Sequence, residues 1–479
     1  MLKYIWILSF TLVIGICQAQ DAEWSLRQCI DYALENNIQI KQSALNNELA
    51  VVDKNQNVAG AFPSVNASAS HGYNWGQTID PFTNQFATDR IRSNNFNART
   101  SLTIFNGFQR INSIKQSNVD IAVSEADLQK MKNDISLNVA NAYLNVLFNM
   151  EFLTIAESNL ENTVSQLDRT QKLVNAGSLP EGDLMQLEAQ QATDSASLIS
   201  SENNLKIAYL NLTQLLQLEP DEGRTFEIER PNENLAEETE VTADLETVIN
   251  KAVNTLPEMK SAQANVMSAE TGLSISKGQM SPNLSVSYSI GSGYSGANNI
   301  AVGDPVNLGQ VPIGVVESSG ATVLSIQDQT TYEEFDTKPF NDQVSDNFNQ
   351  SLFFSLNIPI FNGLSTHSNI QRSQINVRNA QLQLDLTKNQ LMQNVQGDYF
   401  DMLAAYENYR AAKKSVEAQQ RAFDYASVRY EAGVINTVDY TNARILLDNA
   451  KADLVRNKFD FVFKAKVIDF YTGKPILLD

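Results

Sequence analysis

Between Asn283 and Tyr294 the chain alternates strictly: Leu284, Val286, Tyr288, Ile290 and Tyr294 share one side, and Asn, Ser and Gly fill the other. Three further stretches do the same. Ser64 to Trp75 sets Val65, Ala67, Ala69, His71, Tyr73 and Trp75 against Asn66, Ser68, Ser70, Gly72 and Asn74. "FNARTSLTIF" aligns Phe96, Ala98, Leu102 and Ile104, and "FNQSLFFSLNIPI" aligns Phe348, Leu352, Phe354, Leu356, Ile358 and Ile360. Period two predicts four half-buried strands, over about 64–75, 96–105, 283–294 and 348–360.

Elsewhere the period is helical. Long helices are predicted over about 107–176 and 363–431, and shorter ones over 26–60, 179–216 and 437–470. Apolar residues recur every seven positions, as Val139, Val146, Leu153, Leu160, Leu167, Val174 and as Val395, Met402, Tyr409, Val416, Phe423, Tyr430. Such stripes mark helices that supercoil about one another. Positions three residues on are small or polar, among them Ala142, Ala156, Thr163, Ala405 and Ala412, which allows close approach. The two short helices of a copy together match the long one in length. They are expected to stack end to end beside it.

The chain repeats itself. An offset of 256 carries Phe105-Asn106-Gly107 onto Phe361-Asn362-Gly363, Tyr143 onto Tyr399, and Ala176-Gly177 onto Ala432-Gly433. An offset of 219 carries Leu26, Ile30, Ala33 and Pro63 onto Leu245, Ile249, Ala252 and Pro282. The difference, 37 residues, falls between Pro282 and Phe361. The organisation is thus a tandem duplication, 20–218 and 244–472, with the longer outer loop in the second copy. An acidic linker, 219–243, holds one short strand candidate, "TFEIE", and 473–479 forms a tail.

Residues 1–19 read as an export signal, with Lys3, an apolar "YIWILSFTLVIGI" and Ala19 before the cut. Acylation at Cys17 is disfavoured by Ile16, which is not small. Cys29 then stands alone, so no internal disulfide is expected. The formal charge of −20 argues against nucleic acid as a partner. No mature stretch has the apolar length of a membrane helix.

The strands carry the functional information. Each is about ten residues long, the length a tilted strand needs to cross a bilayer. Their polar sides suit a wet lumen, and Tyr73, Trp75, Tyr294 and Phe348 gather near strand ends, as interface aromatics do. Four strands cannot close a barrel, and open edges in lipid leave backbone groups unpaired. Two copies would supply eight strands and three copies twelve, enough for a passage.

The duplication, Pro63 and Pro282 before the strands, the "IFNG" return and the paired "AG" turns resemble the TolC-like outer-membrane efflux proteins. The resemblance covers about 22–471. It implies a homotrimeric duct in the outer membrane of a Gram-negative bacterium, with a twelve-stranded β-barrel in lipid and an α-barrel crossing the periplasm. The partners implied are a periplasmic adaptor and an inner-membrane transporter of RND, ABC or MFS type, with no cofactor and no catalysis. By position, Ala176, Gly177, Ser178 and Leu179, with Ala432, Gly433, Val434 and Ile435, would be the adaptor-docking turns. Tyr430 and Asp439 match gate positions, and Asp183 is the counterpart of Asp439 in the first copy. At Asn442 the family prototype has a second acidic ring, which this chain lacks.

Other readings fare worse. His71 and His367 have no partner at metal-ligand spacing. "GSGYSG", Gly291 to Gly296, fits a dinucleotide-loop spacing, yet no helical pattern follows it. Asp183 and Asp439 sit where first-turn carboxylates stabilise a helix, so they need no catalytic role. A trimeric coiled-coil adhesin or structural rod would share the stripes, but it would not need four membrane-length strands.

Overall fold

A computed structural model describes residues 23–80, 82–84, 86–87, 90–230, 244–474 and 476. The expected signal and residues 231–243 of the linker lie outside them. In chain order the elements are α1 Leu26–Asn36, α2 Ile38–Ala59, β1 Ser64–Asn74, β2 Thr78–Ile79, β3 Phe86–Ala87, β4 Ile91–Asn106, α3 Gln109–Asn175, α4 Glu181–Leu216 and α5 Glu222–Thr225. The second copy gives α6 Leu245–Thr255, α7 Pro257–Gly278, β5 Asn283–Ser295, β6 Asn299–Val302, β7 Val306–Gly309, β8 Pro312–Val315, β9 Thr322–Leu324, β10 Gln329–Thr331, β11 Glu334–Thr337, α8 Phe340–Asp346, β12 Asn349–Asn357, α9 Ser365–Glu431 and α10 Thr437–Tyr471. Two units emerge: Met1–Val51, Val119–Ser268 and Arg378–Asp479 form the first, and Val52–Asn118 with Ala269–Val377 the second.

The first unit is helical. Its α1 begins with a capping box, in which the Gln28 backbone N–H donates to the Ser25 hydroxyl and the Ser25 N–H to Gln28 Oε1. The single helix expected over 26–60 is in fact two. Asn37 leaves the helical region at ψ 128°, its side-chain oxygen accepts from the Gln39 N–H at 2.9 Å, and its amide donates to the Leu215 carbonyl at 3.2 Å. The matched position in the second copy, Leu256, breaks in the same way at ψ 141° for a different reason. Proline comes next in the chain, which disfavours helical geometry at the preceding residue and then starts the next helix well. The core gathers at these breaks, around Cys29, Ala33, Val139, Tyr143, Val146, Leu212, Leu216, Val248, Val395 and Phe461. The strand candidate "TFEIE" contributes one parallel bridge, Ile228 to Trp24. Tyr143, 2% exposed, ties it down by donating to the Glu229 carbonyl at 2.7 Å.

The second unit holds a four-stranded antiparallel sheet in the order β1-β4-β5-β12. The pairings Ala69↔Phe96, Ala98↔Ile290 and Tyr288↔Leu352 sort the side chains of all four strands. One face carries Val65, Ala67, Phe96, Ala98, Leu102, Val286, Ile290, Leu352 and Phe354. The other carries mostly Ser, Asn and Gly, with Ile91, Arg99, Thr103 and Phe353 as exceptions. Two strand readings need correction. The second strand starts earlier, at Ile91, and a register shift between Thr103 and Phe105 hands the apolar position opposite Leu284 to Phe105 rather than to Ile104. The fourth ends at Asn357, short of Pro359, which has no N–H for a ladder. The second loop, read as connecting chain, is itself laddered: β6 pairs β11, β7 pairs β10 and β8 pairs β9. The "GSGYSG" stretch is the outer end of β5.

Both returns from sheet to long helix use left-handed residues: Gly107 (φ +66°) with Phe108, and Gly363 (φ +63°) with Leu364. Only the first is crowded. A Cβ at Gly107 would lie 2.3 Å from the Gly278 carbonyl oxygen, whereas nothing lies within 4 Å of one at Gly363. Gly363→Ala should therefore cost about 1 kcal/mol, the backbone term alone, and Gly107→Ala clearly more. Thermal unfolding in detergent, followed by circular dichroism, checks the order; equal losses would contradict it.

Candidate functional site

The two helical turns are built alike. At the end of α3 the Gly177 N–H bonds the Val174 carbonyl and the Ser178 N–H bonds that of Leu173, both at 2.9 Å. At the end of α9 the Gly433 N–H bonds Tyr430 at 3.0 Å and the Val434 N–H bonds Arg429 at 2.9 Å. This is a Schellman motif in each case, with glycine left-handed at φ +73° and φ +69°. Ala176, Gly177, Ser178, Ala432, Gly433 and Val434 are exposed, and Leu179 and Ile435 are half-buried.

The helices that leave the two turns start differently. Pro180 precedes α4 without a side-chain cap, whereas Asn436 caps α10 by accepting from the Asp439 N–H at 2.8 Å. Tyr430 stacks on Tyr440 with ring centres 4.7 Å apart, and Phe423 lies 5.5 Å from Tyr440. The Tyr430 hydroxyl is 3.3 Å from that of Thr437, which is fully buried. Burial pushes the Tyr440 phenol above its ordinary range, against the pull of Arg444. The structure thus joins Tyr430 to Tyr440 and Thr437. It does not join Tyr430 to Asp439 or Asn442, both exposed on α10, nor to half-buried Asp183 on α4.

Sequence reasoning passed over the strongest polar feature of this unit. Arg444 on α10, 7% exposed, reaches across to the first copy's hairpin. Its guanidinium donates to the Thr163 hydroxyl at 2.7 Å and to the Asn159 carbonyl, and lies 3.6 Å from Asp194 and 3.5 Å from Asp448. Asp194 also accepts from the Thr163 hydroxyl, and from Gln190 at 2.8 Å. Buried charges persist when they are paired and hydrogen-bonded. The cluster has no counterpart at the 256 offset, where Glu188 matches Arg444, Gln419 matches Thr163 and Ala450 matches Asp194. One signal was available. Arg444 comes four residues after Tyr440 and three before Leu447, helical spacings that put it on the side of α10 that packs, where a charge demands a partner.

Removing one member of a buried ion cluster strands the rest. Arg444→Met should destabilise the helical unit by about 3–5 kcal/mol, and adding Asp194→Asn with Asp448→Asn should recover most of it. Chemical unfolding measures both; an unrecovered loss would mean packing, not charge, is responsible. A pH effect accompanies this. Burial raises the Asp448 carboxyl above its ordinary value, more than Arg444 lowers it. The folded chain therefore holds that proton more tightly than the unfolded one. Stability contributed by this group falls as pH rises from about 4 through the raised value. Asp448→Asn should flatten that part of the melting-temperature profile, and an unchanged slope would refute the assignment.

The chain is similar to known proteins over most of its length. TolC of Salmonella enteritidis is 23% identical over 473 residues, covering 96% of this chain and 84% of that protein. The outer membrane efflux protein BepC of Brucella suis biovar 1 is 21% identical over 470 residues, covering 98% and 89%. Among solved structures, the outer membrane protein VceC of Vibrio cholerae superposes with a TM-score of 0.72 at 14% identity, over 94% of this chain and 96% of that one. The CmeC channel of Campylobacter jejuni gives 0.72 at 16%, over 94% and 85%. The family model described as outer membrane efflux protein matches residues 29–217 and 248–462.

Proposed function

Since the chain belongs to the outer membrane efflux protein family, we propose that it is the passive exit duct of a tripartite efflux or type I secretion system. In this reading three copies close a twelve-stranded barrel in the outer membrane, and their helices enclose a channel through the periplasm. The observation that carries it is the sheet with one apolar face, one Ser/Asn/Gly face and two free edges, β1 and β12. The apolar face suits lipid and the other a water column. Edges left open in lipid would cost several kcal/mol per unpaired group, so copies must pair edge to edge. A coiled-coil rod offers no use for the polar face.

The paired turns are then the inner tip. Gly177 and Gly433 present exposed Ser178 and Val434 to a periplasmic adaptor, and an inner-membrane pump supplies the energy. Tyr430, held on Tyr440, and exposed Asp439 line the closure, with Asp183 near it. Three copies would place three Asp439 carboxylates at one level, and Asn442 adds no charge. The Arg444 cluster fastens the second hairpin to the first within each copy.

Conductance of purified protein in planar bilayers tests the duct; no channel activity, even after Asp439→Ala, would sink it. Tyr430→Phe with Asp439→Ala should raise conductance and sensitise cells to large antibiotics. Wild-type values on both measures would remove these residues from the gate. A deletion strain challenged with dyes, detergents, antibiotics and metals would identify the cargo class.

A further inference from the structure

The Ser/Asn/Gly face of the sheet carries a single charged side chain. Its positions on β1, β4, β5 and β12 include no Asp, Glu or Lys, and Ile91, Thr103 and Phe353 are neutral. The charge is Arg99, and its place in the sheet is central. Only over Asn97–Ser101 of β4 do all four strands lie side by side, and Arg99 is the middle of that stretch. The row through it reads Asn66, Arg99, Ser289, Ser351. Its neighbours along the strand on the same face are Asn97 and Ser101.

The Arg99 side chain is exposed. Among the described residues its guanidinium has no carboxylate within ion-pair distance and no hydrogen-bond acceptor. It therefore stabilises no partner within the chain. Arginine at mid-strand on the lipid side is among the costliest residues a membrane barrel can carry. This face must meet water, and the charge stands in that water unneutralised. The chain as a whole carries −20, so the face is opposite in sign to the protein.

We propose that Arg99 sets the ionic selectivity of the duct: three copies place three guanidiniums at one height in the barrel lumen, a cationic ring that favours anionic solutes. The inference rests on the three-copy barrel proposed above. Threefold symmetry puts the three at equal height whatever the tilt of the strands. Twelve strands about 4.8 Å apart and tilted about 40° close a barrel about 24 Å across at the backbone, with its axis about 12 Å from the wall. The side chain shortens that gap by reaching inward. At 0.1 M salt a charge acts over about 10 Å, which spans the gap, whereas at 1 M it acts over about 3 Å and leaves the axis free. The surrounding hydroxyls and amides both donate and accept, so they serve either sign of ion and do not cancel the ring. A guanidinium is permanently charged, and its paired donors fit carboxylate and phosphate oxygens. Solutes bearing those groups are the class it favours.

The test is the reversal potential of purified protein in planar bilayers under a KCl gradient. An Asp439→Ala background removes the acidic candidate at the turns. Near 0.1 M salt, Arg99→Gln should lower the chloride-to-potassium permeability ratio by roughly twofold or more, and Arg99→Glu should lower it further. Arg99→Lys should keep it. Moving the charge one strand over, with Arg99→Ser and Ser289→Arg, should restore it, which a merely structural arginine would not do. All differences should shrink near 1 M salt. An unchanged ratio in Arg99→Gln, an equal loss in Arg99→Lys, or no restoration by the relocated charge would overturn the ring while leaving the duct reading intact. No conductance from the parent or any variant would overturn both.

Discussion

The ladder between β4 and β5 is the constraint on which the rest depends. It runs from Ser93↔Ser295 to Asn106↔Asn283 and is where the sheet joins one repeat to the other. Its register decides which residues of four strands share a face, because a slip of one residue would send every side chain to the opposite side. As formed, it sets Ala98 beside Ile290 and Leu102 beside Val286, while Ser101 faces Ser287 on the other side. The two-faced sheet, its free edges and the position of the laddered loop all depend on that one pairing.

Much of this was legible in the sequence, for physical reasons. Alternation survives because one face must be apolar and the other wet, and the offset of 256 survives because two long helices of equal length must turn in the same way. The illegible parts depend on contacts between distant segments. Asn37 reads as an ordinary helix residue until Leu215 accepts its amide. The bulge at Phe105 is invisible until β4 meets β5. The spacing of Arg444 says that it needs a partner but not which one, because Thr163 and Asp194 lie some 281 and 250 positions away. The candidate site was legible as two turns and a tyrosine, but not as a fastening.

The helical unit also illustrates how small residues set geometry that large ones exploit. Toward the turn end of α3, Ala156, Thr163 and Thr170 are buried whereas the apolar stripe residues Leu160, Leu167 and Val174 are only half-buried; on α9 the small Ala405 and Ala412 are buried as the stripe residues Val395 and Met402 are. Close helix approach at the small positions brings an arginine within reach of two carboxylates. A longer side chain at Thr163 would both occupy that gap and remove the hydroxyl that the guanidinium uses.

A duplicated chain carries its own chronology. The helix break occurs at Asn37 and at its match, Leu256, although one is made by an amide cap and the other by a proline. The shape is common to both halves while the chemistry that makes it differs, so the bend answers a demand of the fold that either chemistry can meet. The Arg444 fastening and the laddered loop exist in one half only, and they record what the halves became once each was free to differ.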